Sequence, residues 1–153
     1  MKLPVLTLFA TLLTIGTTFG QWDNQLELSH KITTETKNIT GFDKIEVGED
    51  FEVFIKFSDQ AESIKIEANE NLHDYIIVKK EGNTLKIDTK SYSTGNYNSR
   101  KRGAKERLVA YVTAKNLTAI EGDEDVTIEL DDKLVANTLN IKLNEDCQVM
   151  ESV

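Results

Sequence analysis

The stretch Phe51-Glu52-Val53-Phe54-Ile55-Lys56-Phe57 puts an apolar side chain at every second position, with Glu52, Phe54 and Lys56 in between. Successive side chains of a strand point to opposite faces, so a period of two reads as a β-strand with one buried face. The same period recurs at Ile64-Ile66-Ala68, Ile76-Val78, Leu85-Ile87-Thr89, Leu108 to Val112, Val126-Ile128-Leu130 and Leu139-Ile141-Leu143. Turn-forming clusters separate these runs at Gly48-Glu49-Asp50, Glu81-Gly82-Asn83 and Gly122-Asp123. Only Asn69 to Tyr75 suits a helical turn, with Asn69 or Asn71 as its cap, and it is too short to carry a helical fold. The expected fold class is all-β with no substantial helix apart from an N-terminal leader. Its short strands form either a solenoid (β-helix) or a two-layer β-sandwich.

Leu108-Val109-Ala110-Tyr111-Val112 is apolar on both faces, which predicts a central strand covered on two sides. Compared with itself at a spacing of 22 residues, the chain matches Leu117 to Leu139, Ala119 to Ile141, Asp123 to Glu145 and Thr127 to Val149. Each copy would be a strand, an acidic turn and a second strand.

Lys2 precedes an apolar run from Leu3 to Phe19, and the small residues Thr18 and Gly20 come just before the polar Gln21-Trp22-Asp23-Asn24. This is the pattern of a cleaved export signal over residues 1–20. The expected organisation is then an N-terminal segment over 21–37 and one all-β domain over 38–153. The destination would be the periplasm, the outer surface or the extracellular space, with no transmembrane segment after cleavage. The only cysteine is Cys147, so no intramolecular disulfide can form and stability rests on packing.

The formal charge is -8, and removing residues 1–20 with Lys2 makes it -9. Such a balance argues against nucleic acid and against anionic lipid, because both repel an acidic surface. Against this background Arg100, Lys101, Arg102, Lys105 and Arg107 stand together with a single acid, Glu106. Tyr92 and Tyr97 add planar rings, so Tyr92, Tyr97, Arg100, Lys101 and Arg102 form a candidate ligand loop for an acidic glycan or a phosphate group. The plain alternative is a solvated loop.

Glu121, Asp123, Glu124, Asp125, Glu129, Asp131 and Asp132 crowd a short stretch that contains no base. Ca²⁺ takes six to eight oxygen ligands, which makes Asp123, Asp125 and Asp131 candidate metal residues, although EF-hand spacing is absent. The plain reading is acidic turns that keep the surface soluble. His30 and His73 lack metal-ligand spacing, and no Gly-x-Ser-x-Gly or activated cysteine occurs. The expectation is therefore a non-enzyme without a cofactor. The alternative is a carbohydrate-active enzyme using surface carboxylates.

Read in order, Ile39-Thr40-Gly41-Phe42-Asp43-Lys44-Ile45-Glu46-Val47, Phe51 to Ile55, Ile64-Lys65-Ile66-Glu67-Ala68-Asn69-Glu70-Asn71-Leu72, Thr84 to Ile87 and Val109-Ala110-Tyr111-Val112-Thr113-Ala114-Lys115-Asn116-Leu117 resemble the head GIN domain family. These secreted bacterial proteins carry the label "putative auto-transporter adhesin", and the resemblance covers roughly residues 38 to 150. In place of the name-giving Gly-Ile-Asn the chain reads Asp50-Phe51-Glu52. The resemblance implies an all-β, solenoid-like fold and an exported binding or structural module at the cell surface, adhesin-like, with a surface glycan or a protein as partner. It names no binding residue.

Leu139-Ile141-Leu143 and Val149 would form the last layer, and no proline or lysine-rich cap follows them. An unprotected edge recruits strands, so this C-terminal edge is expected either to be an assembly surface with weak, salt-promoted self-association or to be continued by further chain. N-terminal sequencing of exported material should begin at Gln21, and an intact Met1 in a membrane fraction would count against a cleaved signal.

Overall fold

The computed structural model describes residues 25–94, 104–131 and 138–151. The expected export signal lies outside them. The strands are β1 Ile32–Lys37, β2 Lys44–Val47, β3 Glu52–Phe57, β4 Ser63–Asn69, β5 Ile76–Glu81, β6 Thr84–Thr89, β7 Leu108–Ala114, β8 Ala119–Gly122, β9 Thr127–Leu130, β10 Asn140–Leu143 and β11 Gln148–Glu151. A 3₁₀ turn at Glu70–Leu72 is the one helical element among the described residues. The strands form a six-stranded sheet ordered β1-β4-β7-β3-β9-β11 and a five-stranded sheet ordered β10-β8-β2-β6-β5. Both are mixed, and their inner faces enclose one apolar core in a sandwich-like arrangement.

The parallel part comes from a path taken repeatedly. β2 runs in the five-stranded sheet, the chain turns, and β3 runs in the six-stranded sheet; β8 to β9 and β10 to β11 do the same. Each unit lies beside the next in the same orientation, so like strands meet parallel. A fourth unit, β6 to β7, joins β2 and β3 on their other side, with residues 90–107 replacing the tight turn.

Three units share a pattern: Ile45-Glu46-Val47-Gly48-Glu49-Asp50-Phe51-Glu52-Val53, Ile120-Glu121-Gly122-Asp123-Glu124-Asp125-Val126-Thr127-Ile128 and Ile141-Lys142-Leu143-Asn144-Glu145-Asp146-Cys147-Gln148-Val149. Register pairs Ile45 with Ile120 and Ile120 with Ile141, and likewise Val53 with Ile128 and Ile128 with Val149. The last two units are thus 21 residues apart rather than 22. The expected spacing aligned apolar residues without aligning the Glu-Asp turn, and a slip of one residue exchanges the two faces of a strand.

The turns explain the shared Glu-Asp. Asp50, Asp125 and Asp146 have φ of 64°, 55° and 52°, a left-handed conformation that aspartate tolerates better than most side chains. Turn backbones are laddered as well: Asp123 N–H donates to the Val47 carbonyl at 3.0 Å and Asn144 N–H to the Gly122 carbonyl at 3.0 Å. Gly48 stands where the other units have Asp123 and Asn144, because a Cβ there would sit 2.2 Å from the Asp88 carboxylate of β6. Stacking also brings Glu49, Glu124 and Glu145 into one column. The negative charges of Glu49 and then Glu145 hold the Glu124 carboxyl above its ordinary range.

Core rows run across the sheets. Ile66, Ala110, Val53 and Ile128 are all buried in one row, and Leu85, Ile45 and Ile120 in another. β7 is interior to its sheet, as expected, but its outer face is open: Tyr111 is 37% exposed. The N-terminal segment contributes β1, which pairs with β4 over its whole length.

Asn69 is not a cap, since it makes no capping hydrogen bond. It is the one buried polar residue among those described, and its amide donates to the carbonyls of Ser29 at 2.8 Å and Lys105 at 3.1 Å while its oxygen accepts from Arg107 N–H at 2.8 Å. All its polar atoms are thereby satisfied, which removes the cost of burying it.

Asp125→Val should cost about 1 kcal/mol relative to Asp125→Gly, because both remove the charge and only valine resists the left-handed turn; paired urea midpoints measure this. A glutamate whose folded pKa is raised makes the fold more stable at pH below its unfolded value, and that advantage is lost as pH rises through the folded pKa. Glu124→Gln should therefore raise the urea midpoint at neutral pH, with the gain vanishing in acid where the wild-type carboxyl is protonated.

Candidate functional site

The outer face of the six-stranded sheet has the most distinctive surface chemistry. Alternation that buries Val53, Ile55, Ala110 and Val112 sends Phe54 and Tyr111 outward. Parallel register sets these two rings side by side, stacked with centroids 5.2 Å apart and planes 15° apart. They form the centre of a row that crosses every strand of this sheet: Thr36, Lys65, Tyr111, Phe54, Glu129, Met150. Beside Tyr111 lies a hollow of about 420 Å³ lined by Thr34, Ser63, Lys65, Tyr111 and Thr113. Hydroxyls dominate its lining, with a single ammonium.

The adjacent row is held by Arg107, whose guanidinium donates to Glu67 at 2.9 Å and Glu52 at 3.0 Å. These carboxylates sit on the strands flanking β7, so Arg107 bridges β4 and β3 over the buried Val109. Its guanidinium is held above its ordinary range first by the hydrogen bond to Glu67.

Of the candidate loop, Tyr97, Arg100, Lys101 and Arg102 lie outside the described residues. Tyr92 is described, and it is not a free platform. Its ring is half-buried and meets Tyr75 edge-on at 5.5 Å and 63°, and its hydroxyl donates to Glu106. Burial, then Glu106, raises the phenol far above its usual range. Tyr92 therefore joins the two ends of the loop. Leu26 N–H donates to the Ser93 carbonyl at 2.8 Å, and Asn69 holds Lys105 and Arg107, so both loop ends are fixed to the same side of the fold.

The acidic candidates do not converge. Asp125 occupies the turn before β9, and Asp123 in that turn accepts a hydrogen bond from Asn144 Nδ2 at 3.2 Å. Asp131 follows β9 at its far end, beyond roughly 13 Å of strand. Among the described residues no group of three or more His, Cys, Asp or Glu side chains is placed to hold a metal ion. His73 is 7% exposed at its side chain and its Nε2 lies 3.1 Å from the Thr33 carbonyl, a structural contact between the 3₁₀ turn and β1. Cys147 takes the position of Phe51 and Val126 in the last unit, where its thiol contacts the Asp123 carbonyl.

The outer face of the five-stranded sheet is an ion-pair surface. Lys86 reaches Glu46 at 3.1 Å and Glu81 at 3.4 Å, and Lys79 reaches Glu81 at 2.7 Å. A groove of about 440 Å³ runs along it between Glu46, Lys86, Glu121 and the turn residues Gly48 and Asp123. Its two lysines are spent on Glu46 and Glu81, which leaves the groove with an excess of carboxylates.

The pattern reading missed the Tyr111–Phe54 face. Its signal was present: Phe54 is an aromatic at a position where the period of two calls for a polar residue.

Among the described residues no helix is long and apolar enough to cross a membrane, which says nothing of a β-barrel. No curated protein matches the chain. A crystal structure of a "putative adhesin" from Parabacteroides merdae superposes with a TM-score of 0.58 at 16% identity, over 79% of this chain and 55% of that one. A "putative adhesin" from Parabacteroides distasonis gives 0.60 at 13% identity, over 84% and 59%. A "putative lipid binding protein" from Parabacteroides distasonis gives 0.57 at 21% identity, over 83% and 54%. The fold is thus shared, while the chain spans less than two thirds of the length of these relatives. Residues 41–151, well over half of the chain, match one family throughout, and the chain belongs to that family, described as "Putative auto-transporter adhesin, head GIN domain".

Proposed function

We propose that this protein is an exported, surface-associated binding and structural module of the adhesin kind, and that it holds a glycan on the outer face of its six-stranded sheet. The observation that carries this reading is the exposed Tyr111 stacked on Phe54 beside a hydroxyl-lined hollow. Sugars combine apolar C–H patches with many hydroxyls. Tyr111 offers apolar surface to the first, while Thr34, Ser63 and Thr113 donate to and accept from the second. Lys65 adds one positive charge on an otherwise acidic protein, which favours a sugar bearing a carboxylate or sulfate.

A glycan array probed with the chain purified after export tests the reading. Acidic glycans should be retained, and Tyr111→Ala combined with Lys65→Ala should lower retention at least tenfold with an unchanged circular dichroism spectrum. No release of reducing sugar is expected. Absence of any retained glycan, undiminished retention by the double variant, or steady sugar release would overturn it.

A further inference from the structure

The outer face of the six-stranded sheet is unevenly filled around Tyr111, and what stands there limits what can enter. Tyr111 and Phe54 lie on adjacent strands, whose backbones run about 4.8 Å apart. Rings with centroids 5.2 Å apart and planes only 15° apart must overlap face to face, because two rings lying flat side by side at that distance would collide. Both rings therefore stand up from the sheet, and Phe54 takes one face of Tyr111. The other face looks across to β4. The hollow of about 420 Å³ lies on that side, since Ser63, Lys65 and Thr113 line it together with Tyr111 and Phe54 does not.

Side chains occupy three sides of this hollow. Tyr111, backed by Phe54, is one. Lys65 faces it from β4 in the same register row and is another. The third lies one row along the strands, where Glu67, Val109 and Glu52 stand side by side and Arg107 joins the two carboxylates. Val109 points to the outer face, yet it is only 1% exposed, so Arg107 and its glutamates lie over it as a bar. In the opposite direction the row beyond Tyr111 holds the small Ser63 and Thr113, and β7 ends at Ala114. The result is a lane closed at Arg107 and open toward the end of β7. It has an aromatic wall, an ammonium opposite and hydroxyls on its floor.

We propose that this lane receives the free end of a glycan, a single terminal acidic sugar, and that the Arg107 bar acts with Tyr111 and Lys65 to select a terminal acid over an internal one. The inference rests on the glycan reading above and narrows it. A terminal unit stacked on the open face of Tyr111 needs one exit for the rest of its chain, and the lane provides one over Ser63 and Thr113. An internal unit needs two. Its second neighbour would have to displace Lys65, the partner of its carboxylate, or the bar, whose loss uncovers Val109 and leaves Glu67 and Glu52 without their cation. Glycans attached to a surface through the reducing end present the non-reducing end, so that is the end recognised.

Charge sets where the acid sits within the lane. The bar holds two carboxylates against one guanidinium, so the closed end repels a second anion. Glu67, two residues along β4 from Lys65, is already paired with Arg107, which leaves the exposed Lys65 to meet the sugar's carboxylate. The hydroxyls of the same sugar face Ser63, Thr113 and Thr34, each able to donate and to accept.

Isothermal titration of the chain purified after export tests the selection with three probes. One trisaccharide carries glucuronate at its non-reducing end, a second carries it in the middle capped by a neutral hexose, and the third probe is methyl glucuronoside alone. The end-acid trisaccharide should bind at least tenfold more tightly than the middle-acid one, and methyl glucuronoside should displace it. Arg107→Ala should open the lane and narrow that gap by strengthening the middle-acid probe. Should Arg107→Ala fail to fold by circular dichroism, Glu52→Ala, which cuts the bar on the β3 side, takes its place with the same narrowing expected. Equal affinity for the two trisaccharides, no displacement by the monosaccharide, or an unchanged gap in a folded bar variant would overturn the proposal while leaving the glycan reading standing. Failure of all three probes overturns the proposal, and together with an empty glycan array it overturns the glycan reading as well.

Discussion

The register in which Ile45, Ile120 and Ile141 lie side by side governs the rest of the molecule. A unit of two strands, one in each sheet, joined by a tight turn can repeat in parallel only if each turn has the same length and the same backbone path, because one extra residue would reverse every face in the following strand. The left-handed aspartates at Asp50, Asp125 and Asp146 meet that requirement with a side chain that tolerates the conformation and keeps the turn soluble. Once the turns coincide, the apolar residues on either side of them coincide too. Ile45, Ile120, Val53 and Ile128, with a neighbouring strand on each side, are then removed from water, a gain of roughly 1.5–3 kcal/mol for each fully buried side chain.

The same register has a cost. Stacking identical turns stacks identical charges, and Glu124 carries the consequence between Glu49 and Glu145. The backbone ladder across the turns and the buried row beneath them outweigh this repulsion, since exposed charges in water interact weakly. A charge column at the rim and an apolar row in the core are two outcomes of one repeat.

Much of the fold was legible from the sequence because a period of two survives wherever one face is buried. Phe51 to Phe57 and Leu85 to Thr89 read as strands for that reason. β1 was not legible: Ile32-Thr33-Thr34-Glu35-Thr36-Lys37 lacks an apolar face, because its task is to end the sheet rather than to fill the core. β2 and β8 were not singled out as strands, since four residues leave too short a window for periodicity, and the repeat was misplaced by one residue for want of the Glu-Asp anchor. Of the candidate site, Tyr92 was singled out for its ring, but burial and the Glu106 contact turn that ring into a fastening. Tyr111 was absorbed into an apolar run and read as core. Which face of a strand stays open depends on what packs over the sheet, and nothing in the local sequence records that for β7.

The fourth unit shows where such a stack can accept new sequence. Strand positions are fixed by two neighbours each, so an inserted residue there would break register on both sides. A turn laddered on both sides is fixed in the same way, and it is between β6 and β7, at the outer side of the ladder of Glu-Asp turns, that the short link gives way to residues 90–107. The substitution requires that the two ends of the insertion be held where a tight turn would have held them. Tyr92 against Glu106 does this on one line, and Asn69, which takes the Lys105 carbonyl and the Arg107 amide, does it on another. Asn69 also grips Ser29, so the chain before β1 is tied to the same point. A buried amide satisfied by three backbone groups is expensive to replace, since removing it strands each partner at about 1–3 kcal/mol. The fold thereby holds residues 90–94 and 104–107 together at one place, and Arg107 carries a positive charge onto the sheet face where Tyr111 stands open.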